Sequence, residues 1–234
     1  MVDNASKDAS IDELLRLKRH DLLIRNRQNV GFGRANNQLL DHLEAPYVLL
    51  LNTDAFVQPN SLVDSLAFMA AHPRCGVLGV RLTGQGGEIQ PSCRYFPTPL
   101  NVFVARAGLG RWLRWVQPID GPQWAPDTAQ ECDWVPGCFY LIRRQVIDQI
   151  GLFDPRFFLY YEEIDLCRRV KAAGWKVMYS PHTSVVHLGG ESARSDGVLT
   201  ATGRQLSALQ VESELLYFRK HHGRRGLLLH VHAQ

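Results

Sequence analysis

This sequence of 234 residues has no long apolar run, no closely spaced pair of cysteines and only a small net charge. No stretch approaches the roughly 18 consecutive apolar residues of a transmembrane helix, so the sequence predicts no bilayer-spanning segment. The five cysteines are odd in number and include no Cys-x-x-Cys pair. Their pattern disfavours a zinc site or a secreted disulfide framework and predicts a reducing, cytoplasmic setting. A net charge of +3 gives no reason to expect nucleic acid as a partner.

A dinucleotide-binding fingerprint is also incomplete. The segment Gly31–Asn36 opens with the Gly-x-Gly spacing, but Asn36 stands where the third glycine belongs. No clear strand precedes the segment, whereas the fingerprint requires a strand before it and a helix after it. The sequence therefore does not favour a Rossmann oxidoreductase.

The sequence does contain an alternation of apolar strands and helices, which predicts a doubly wound α/β fold. Its length fits a single domain over 1–222 followed by a tail over 223–234. The predicted helices are 11–19, 32–43, 59–71, 145–150, 162–173 and 203–221, and the predicted strands are 22–24, 47–51, 76–82, 138–142, 177–179 and 184–186.

The segment Gly84–Asp133 breaks this alternation. It is rich in glycine and proline, and tryptophans are scattered through it. Long irregular stretches inside a compact domain usually serve as binding loops or lids. We therefore predict a functional loop here rather than an element of the fold.

A first candidate site follows the strand predicted at 47–51. Asn52 and Asp54 come directly after it, and alternation along an extended chain places both side chains on the same side. Ligands of open α/β sheets bind beyond the carboxyl ends of the strands, where two oxygen ligands can hold Mg²⁺ or Mn²⁺ against a diphosphate. A turn or helix cap built from the same polar residues is the alternative.

A second candidate site opens the helix predicted at 162–173. Glu162, Glu163 and Asp165 follow a run of aromatic residues, and a partly desolvated carboxylate is suited to act as a general base. The alternative is structural: acids in a first helical turn complement the helix dipole, and Asp165 can pair with Arg168 or Arg169.

A third candidate site ends the strand predicted at 184–186. His187 follows this strand and precedes Gly189 and Gly190, which leave room for phosphate to approach the backbone. An imidazole at this position can complete a metal site, and a hydrogen-bonded structural histidine is the alternative.

Taken together and in order, these motifs resemble glycosyltransferase family 2, and its bacterial rhamnosyltransferase-like branch in particular. The resemblance covers nearly the whole chain. It rests on the segments Asp3–Ser6, Asn29–Asn37, Leu50–Asp54, Trp134–Gly137, Glu162–Asp165 and His187–Gly190.

The resemblance implies a GT-A fold with a mostly parallel central sheet flanked by helices, a nucleotide-diphospho-sugar donor, Mg²⁺ or Mn²⁺, and inversion at the anomeric carbon. It identifies Glu163 as the catalytic base, Asp54 and His187 as metal ligands, and Asn52 as a neighbour of the sugar or ribose. It assigns donor binding to Asp3, Asn4, Asn29, Gly31 and Asn36, and acceptor contacts or support to Trp134, Gly137, Glu162 and Asp165. Arg94, in the irregular segment 84–133, is expected on the acceptor side as well.

Two features depart from the family pattern. The base position holds Glu163 where the family usually has aspartate, and the extra methylene displaces the carboxylate. The strand and helix that usually precede the segment Asp3–Ser6 are also lacking here, so we expect an N-terminally truncated form whose first strand is missing.

The sequence thus predicts an inverting glycosyltransferase of cell-envelope polysaccharide synthesis, acting on a glycan or lipid-linked acceptor, with rhamnose as the sugar that the branch suggests. The segment 84–133 is expected to border the acceptor. Basic residues at 219–225 followed by leucines predict peripheral contact with the inner face of the plasma membrane, and a solvated C-terminal end is the alternative. A non-catalytic remnant or partner-binding module and, less favoured, a nucleotidyltransferase are the competing functions.

Overall fold

The computed structural model describes residues 1–17, 20–118, 127–188 and 208–231. Its strands are β1 (Val2–Asp3), β2 (Ile24–Arg25), β3 (Tyr47–Leu51), β4 (Ala55–Val57), β5 (Cys75–Thr83), β6 (Ile89–Gln90), β7 (Gln130–Cys132), β8 (Phe139–Arg143) and β9 (Lys176–His187). Its helices are α1 (Ser10–Leu17), α2 (Phe32–Asn37), α3 (Ser61–Ala71), α4 (Pro99–Arg106), α5 (Arg144–Ile150), α6 (Glu162–Ala172) and α7 (Ala208–Val231), with a short 3₁₀ turn at Leu40–His42.

The central sheet has seven strands, five of which run in the order β3-β8-β5-β9-β4. Among the described strands of this sheet, β5 and β9 pair in parallel, whereas β3 with β8, β8 with β5, and β9 with β4 are antiparallel. Strands β6 and β7 add antiparallel pairs, while β1 and β2 form a separate parallel pair. The α/β class is as predicted, but the prediction of a mostly parallel sheet is wrong. A continuous apolar run indicates that a strand is buried on both faces and does not indicate its direction.

The two faces of this sheet bury different side chains. Along β8, Tyr140 and Ile142 belong to the apolar cluster on the side of α6 and α7, whereas Phe139 and Leu141 belong to the cluster on the side of α3. This is the period of two expected for a strand buried on both faces. The helices therefore sandwich the sheet and hold its strand ends in fixed positions.

The segment Gly84–Asp133 is more ordered than predicted. Its described residues include β6, α4 and β7. Helix α4 begins at a capping box: the Thr98 side chain accepts from the Asn101 backbone N–H at 3.1 Å, and Asn101 accepts from the Thr98 N–H at 2.7 Å. Pro99 follows at the first helical position, where a missing N–H costs nothing. The proline that suggested irregularity thus starts a helix.

Several predicted boundaries shift. The helix predicted over 32–43 ends at Asn37, and the two strands predicted at 177–179 and 184–186 are one strand, β9. Helix α7 extends to Val231 through a kink at Gly223, whose φ of 66° lies in the left-handed region, so the predicted tail is largely helical. Gly189, Gly190 and the start of the helix predicted from 203 lie outside the described residues.

Within the described ranges, none of the helices combines the length and the apolar character that crossing a bilayer requires.

Candidate active site

The turn Asn52–Ala55 carries the first pair of site residues from β3 to β4. The Asn52 N–H donates to the Cys138 carbonyl at 3.0 Å, and the Ala55 N–H donates to the Asn52 carbonyl at 3.1 Å. Ala55 then pairs with His187 across the β4–β9 ladder, and the Leu188 N–H donates to the Asp54 carbonyl at 3.1 Å. The sequence left a turn and a ligand-binding position as alternatives for Asn52 and Asp54. The structure shows the turn, and this turn brings Asp54 beside His187.

Asp54 and His187 face each other across this junction. Asp54 Oδ2 lies 3.6 Å from His187 Nε2, and both side chains are largely buried. Gln90 fixes the imidazole, because its amide nitrogen donates to the His187 carbonyl at 2.8 Å and its Oε1 lies 3.2 Å from Nδ1. The proton of the neutral ring therefore belongs on Nδ1, and the Nε2 lone pair points toward the carboxylate.

Two facing acceptors of this kind suit a divalent cation. Carboxylate oxygen and imidazole nitrogen are both accepted by Mn²⁺, whereas Mg²⁺ prefers oxygen alone. The described part of the chain contains no cluster of three or more histidine, cysteine or acidic side chains that would form a closed metal site. A cation that is shared with substrate phosphates is commonly held by only one or two protein ligands.

Asp54 and His187 line a cavity of about 220 Å³ together with the start of α6. Asn52 and Gly137, both predicted to belong to the site, line it as well. A Cβ on Gly137 would lie 3.8 Å from the Glu163 Cβ, so a side chain here would enter the cavity. The remaining lining residues are Phe32, Pro136, Cys138, Leu159, Tyr160, Glu162 and Glu163.

Helix α6 starts from two residues with unusual backbone angles. Tyr160 and Tyr161 have φ values of 70° and 67°, in the left-handed region that side chains other than glycine rarely adopt. Each such residue costs on the order of 1–3 kcal/mol, and such outliers concentrate at active sites. The strained turn aims the first two side chains of α6 into the cavity.

Glu162 and Glu163 each bury one carboxylate oxygen that has no hydrogen-bond partner among the described residues. Burial raises the pKa of Glu162 well above its usual range, and the neighbouring Glu163 charge raises it further. Burial also raises the pKa of Glu163, although its own backbone N–H and the charge of Arg94 oppose the rise. A carboxylate with a raised pKa, open to a cavity, is the usual form of a general acid or base.

A second cavity, of about 330 Å³, adjoins the first, and Glu163 and Tyr160 line both. Arg94 and Trp134, which the sequence predicted for the acceptor side, line the second cavity. The Arg94 guanidinium lies 4.5 Å from the centre of the Trp134 ring, and Trp134 Nε1 donates to the Tyr95 carbonyl at 2.8 Å. Glu163 thus lines both the cavity that contains Asp54 and His187 and the cavity that contains the stacked arginine.

The residues predicted to bind the nucleotide form a network outside both cavities. Asn4 Nδ2 donates to Asn29 Oδ1 at 2.7 Å, and the Val30 N–H donates to Asn4 Oδ1 at 3.0 Å. Asp3 accepts from the Ser6 N–H at 2.9 Å in a turn, which anchors the end of β1. Binding of a nucleotide by this network stays a prediction.

Gly31 and Asn36 shape the next part of this segment. Gly31 has a φ of 90°, and a Cβ there would lie 2.5 Å from the Phe158 carbonyl oxygen, so no larger residue fits. The Asn36 amide donates to the Phe32 carbonyl at 2.9 Å. Phe32 is the residue of this segment that reaches the first cavity. For Gly31 and Asn36 the structure therefore shows close packing and local bonding, and their donor-binding role also stays a prediction.

Asp165 lies away from the cavities and anchors α7 to α6. It is fully buried and contacts Arg169 at 2.9 Å, Lys220 at 2.6 Å and His221 at 2.7 Å. Burial alone would raise the pKa of Asp165, but its hydrogen bonds to His221, Lys220 and Arg169 lower it. The predicted pairing with Arg169 is present, and the contribution of Asp165 to the site is support.

Two residues of the site carry no signal that the sequence analysis used. Gln90 reaches His187 across 97 positions of the chain and belongs to no motif. Tyr160 lines both cavities. The sequence gives no sign of its left-handed backbone conformation, because tyrosine does not favour this region. The aromatic run before Glu162 was the one available hint.

Comparison with known proteins agrees with this architecture. Residues 1–151 match the family described as Glycosyl transferase family 2, and residues 125–208 match Glycosyltransferase like family 2. An N-acetylglucosaminyl-diphospho-decaprenol L-rhamnosyltransferase of Mycobacterium tuberculosis is 28% identical over 84% of this chain and 68% of its own length. Rhamnosyltransferase WbbL of Escherichia coli is 25% identical over 70% of this chain and 63% of its own length.

Solved structures share the fold at low sequence identity. The mannosyltransferase PcManGT from Pyrobaculum calidifontis, in complex with GDP-Man and Mn²⁺, aligns with a TM-score of 0.53 at 14% identity, over 99% of this chain and 63% of its own. GalNAc-T7 with UDP, GalNAc and Mn²⁺ aligns with a TM-score of 0.56 at 15% identity, over 80% of this chain and 36% of its own. The chain thus spans between about a third and two thirds of these two structures. The GT-A fold is therefore confirmed, and the chain belongs to glycosyl transferase family 2.

Proposed function

We propose that this protein is an inverting glycosyltransferase that moves a sugar from a nucleotide-diphospho-sugar to a hydroxyl of a glycan or lipid-linked acceptor in cell-envelope polysaccharide synthesis. The observation that carries the proposal is the place of Glu163, a residue that lines both cavities. One cavity holds groups suited to a diphosphate, and the other holds groups suited to an acceptor. A base between them is where an acceptor hydroxyl must lose its proton.

In the proposed reaction the acceptor oxygen attacks the anomeric carbon from the face opposite the diphosphate. The new glycosidic bond forms as the bond to the diphosphate oxygen breaks, and the nucleoside diphosphate leaves with that electron pair. Glu163 takes the proton of the attacking hydroxyl, and its desolvated position makes the ionised carboxylate a stronger base than one in water. The single displacement inverts the configuration at the anomeric carbon.

On the donor side, Asp54 and His187 would hold a divalent cation, with Mn²⁺ favoured over Mg²⁺ by the imidazole ligand. When bound, such a cation neutralises charge on a departing diphosphate. Asn52 would contact the sugar or ribose at the same strand end. Asp3, Asn4, Asn29, Gly31 and Asn36 remain the proposed nucleotide-binding residues, supported by their match to the family motifs.

On the acceptor side, Arg94 lines the second cavity and stacks on Trp134, and Arg106 lines it while paired with Glu214. Guanidinium groups bind phosphate oxygens in pairs. This set suits an acceptor in which a sugar is joined to a prenyl chain through a diphosphate, as in the substrate named for the mycobacterial relative. We place the reaction in the cytoplasm, with the basic C-terminal residues near the inner face of the membrane. Rhamnose is the proposed sugar because two relatives are named for its transfer.

A transfer assay tests the proposal. The full chain is incubated with N-acetylglucosaminyl-diphospho-decaprenol and, in turn, UDP-GlcNAc, GDP-mannose and a nucleoside-diphosphate rhamnose, with Mn²⁺ or with EDTA. We expect the acceptor to gain the mass of one sugar and a nucleoside diphosphate to be released, with Mn²⁺ only. Release of a sugar 1-phosphate would instead indicate transfer of the nucleotidyl group, and absence of donor consumption with all three donors would favour a non-catalytic role. Either result would overturn the proposal.

A further inference from the structure

Helix α4 and the turns after it present an apolar face to solvent. Leu100 and Phe103 are 45% and 46% exposed, and Trp112 and Trp115 are 73% and 74% exposed. Leu100 and Phe103 are three positions apart and share a helix face, while Leu100 and Trp115 border the same cavity. Trp115 therefore neighbours Leu100, Phe103 lies on the same side of α4, and Trp112 stands three positions before Trp115 in the turns that follow.

The segment that carries this apolar face is basic. Residues 99–118 contain three arginines, of which Arg106 pairs with Glu214, and no acidic residue, and the range 219–231 likewise contains no acidic residue. Asp133 borders the same cavity as Leu100 and Trp115, and its carboxylate is paired with Lys171 at 3.0 Å. Arg111 and Arg114 are exposed beside the two tryptophans, and the Arg111 guanidinium lies 5.6 Å from the centre of the Trp112 ring. Tryptophan next to arginine is the composition of surfaces that enter the headgroup region of anionic membranes.

The basic end of α7 joins the same surface. A Cβ on Gly226 would lie 3.6 Å from the Pro99 side chain, so the chain around Arg224 and Arg225 runs beside the start of α4. Both arginines are exposed. At its other end, α4 is tied to α7 by the contact of Arg106 with Glu214 at 3.1 Å. The two helices thus form one basic and aromatic face.

This face also borders the second cavity. Val102, Ala105 and Arg106 of α4 line the cavity that holds Glu163, while Leu100 and Phe103 of the same helix face outward. A membrane lying against the outer side of α4 would therefore place its headgroups next to the mouth of the acceptor cavity. A prenyl chain would remain in the bilayer while the sugar at its headgroup entered the cavity.

We infer that Leu100, Phe103, Trp112 and Trp115, with Arg111, Arg114, Arg224 and Arg225, form a surface that docks on an anionic phospholipid bilayer. We call it the α4 face. The orientation that it gives the acceptor cavity rests on the proposed function, whereas the docking itself does not. Aromatic side chains provide apolar contact, and the arginines provide attraction to anionic lipid that salt weakens.

Vesicle sedimentation of the full chain, without donor or acceptor, tests the inference. The vesicles contain phosphatidylcholine alone or with about 30% phosphatidylglycerol, and NaCl is raised from about 0.05 M to about 0.5 M. We expect binding to the anionic vesicles only, weakened by salt. The double variant Trp112→Ser/Trp115→Ser should bind at least about tenfold more weakly, because it removes two large apolar contacts. Arg111→Gln/Arg114→Gln should lose about tenfold or more at low salt and show a smaller salt effect.

The double variant Leu62→Ser/Val63→Ser is the matched control, because these residues of α3 are 47% and 66% exposed and lie outside the α4 face. It should bind as the unmodified chain does. Binding by the tryptophan variant equal to that of the control would overturn the inference. So would failure of the unmodified chain to bind anionic vesicles. Because no sugar is present, these outcomes leave the transfer assay as a separate test of the catalytic proposal.

Discussion

Replacing Glu163 by glutamine should have opposite effects on catalysis and on stability. Glutamine keeps the shape of the side chain but cannot accept the proton of an acceptor hydroxyl. Removal of a general base typically costs about 10²–10⁴-fold, so kcat should fall by at least about 100-fold. The donor-side groups Asp54 and His187 are unchanged, so the KM for the donor should stay within a few-fold.

The same variant should be more stable at neutral pH. Burial raises the pKa of Glu163, so the folded protein favours the protonated form more than the unfolded chain does. Below the ordinary glutamate pKa both states are protonated, and the variant gains nothing. As pH rises toward the raised pKa, the unfolded chain ionises more readily and the folded wild type loses stability relative to the variant. Removing a charged oxygen that is buried without a described partner should then gain about 1 kcal/mol, or roughly 2–4 °C in Tm.

The assay compares thermal melting of the two proteins at about pH 3.5, below the ordinary glutamate pKa of roughly 4.3, and at about pH 8, above it; kcat is compared at the higher pH. The control is Glu212→Gln, which removes the charge of an exposed glutamate on α7 and should change neither quantity. A variant that loses activity and also melts lower at pH 8 would refute the reasoning, since Glu163 would then be a structural residue. Near-normal kcat would refute its role as the base.

Asp54→Asn and His187→Ala should each raise the Mn²⁺ concentration needed for half-maximal activity by at least about tenfold, measured by metal titration, and unchanged values would contradict the metal assignment. Gln90→Leu leaves Asp54 and His187 in place but removes the hydrogen bond that orients the His187 ring. We expect the Mn²⁺ concentration for half-maximal activity to rise about 10–100-fold with little change in Tm. An unaltered Mn²⁺ concentration would show that the ring orientation does not depend on Gln90. Asp165→Asn should destabilise the fold by about 3–5 kcal/mol in urea unfolding, because Arg169 and Lys220 lose a buried counter-charge, and a wild-type unfolding midpoint would contradict the anchoring role.

The sequence predicted that Asp54 and His187 lie close together at adjacent strand ends, and the structure brings them together by a different route. Asp54 follows β3, which does not neighbour β9 in the sheet. The contact arises because β4, a strand that the sequence did not predict, begins directly after Asp54 and pairs with β9. The start of α6 at Glu162 could also be predicted from the sequence, because three acids follow an aromatic run and precede an apolar helical pattern. Local patterns report local structure well when the polar and apolar residues alternate clearly.

Features that depend on distant contacts or on backbone direction were not predicted. An apolar run does not say whether β8 lies parallel or antiparallel to β5, and the capping box at Thr98 was hidden in a segment read as irregular. Gln90 contributes through a contact made only after β6 folds onto the sheet. The left-handed backbone of Tyr160 is imposed by the surrounding structure against the preference of the residue. These are the points at which tertiary packing overrides local preference.

The configuration of the product tests the central claim most directly. After transfer to N-acetylglucosaminyl-diphospho-decaprenol, NMR spectroscopy of the new linkage gives the anomeric configuration through the C1–H1 coupling. A single displacement with Glu163 as base predicts a configuration opposite to that of the donor. Retention of the donor configuration would require a second displacement or a front-face reaction, and it would contradict the mechanism proposed for this site.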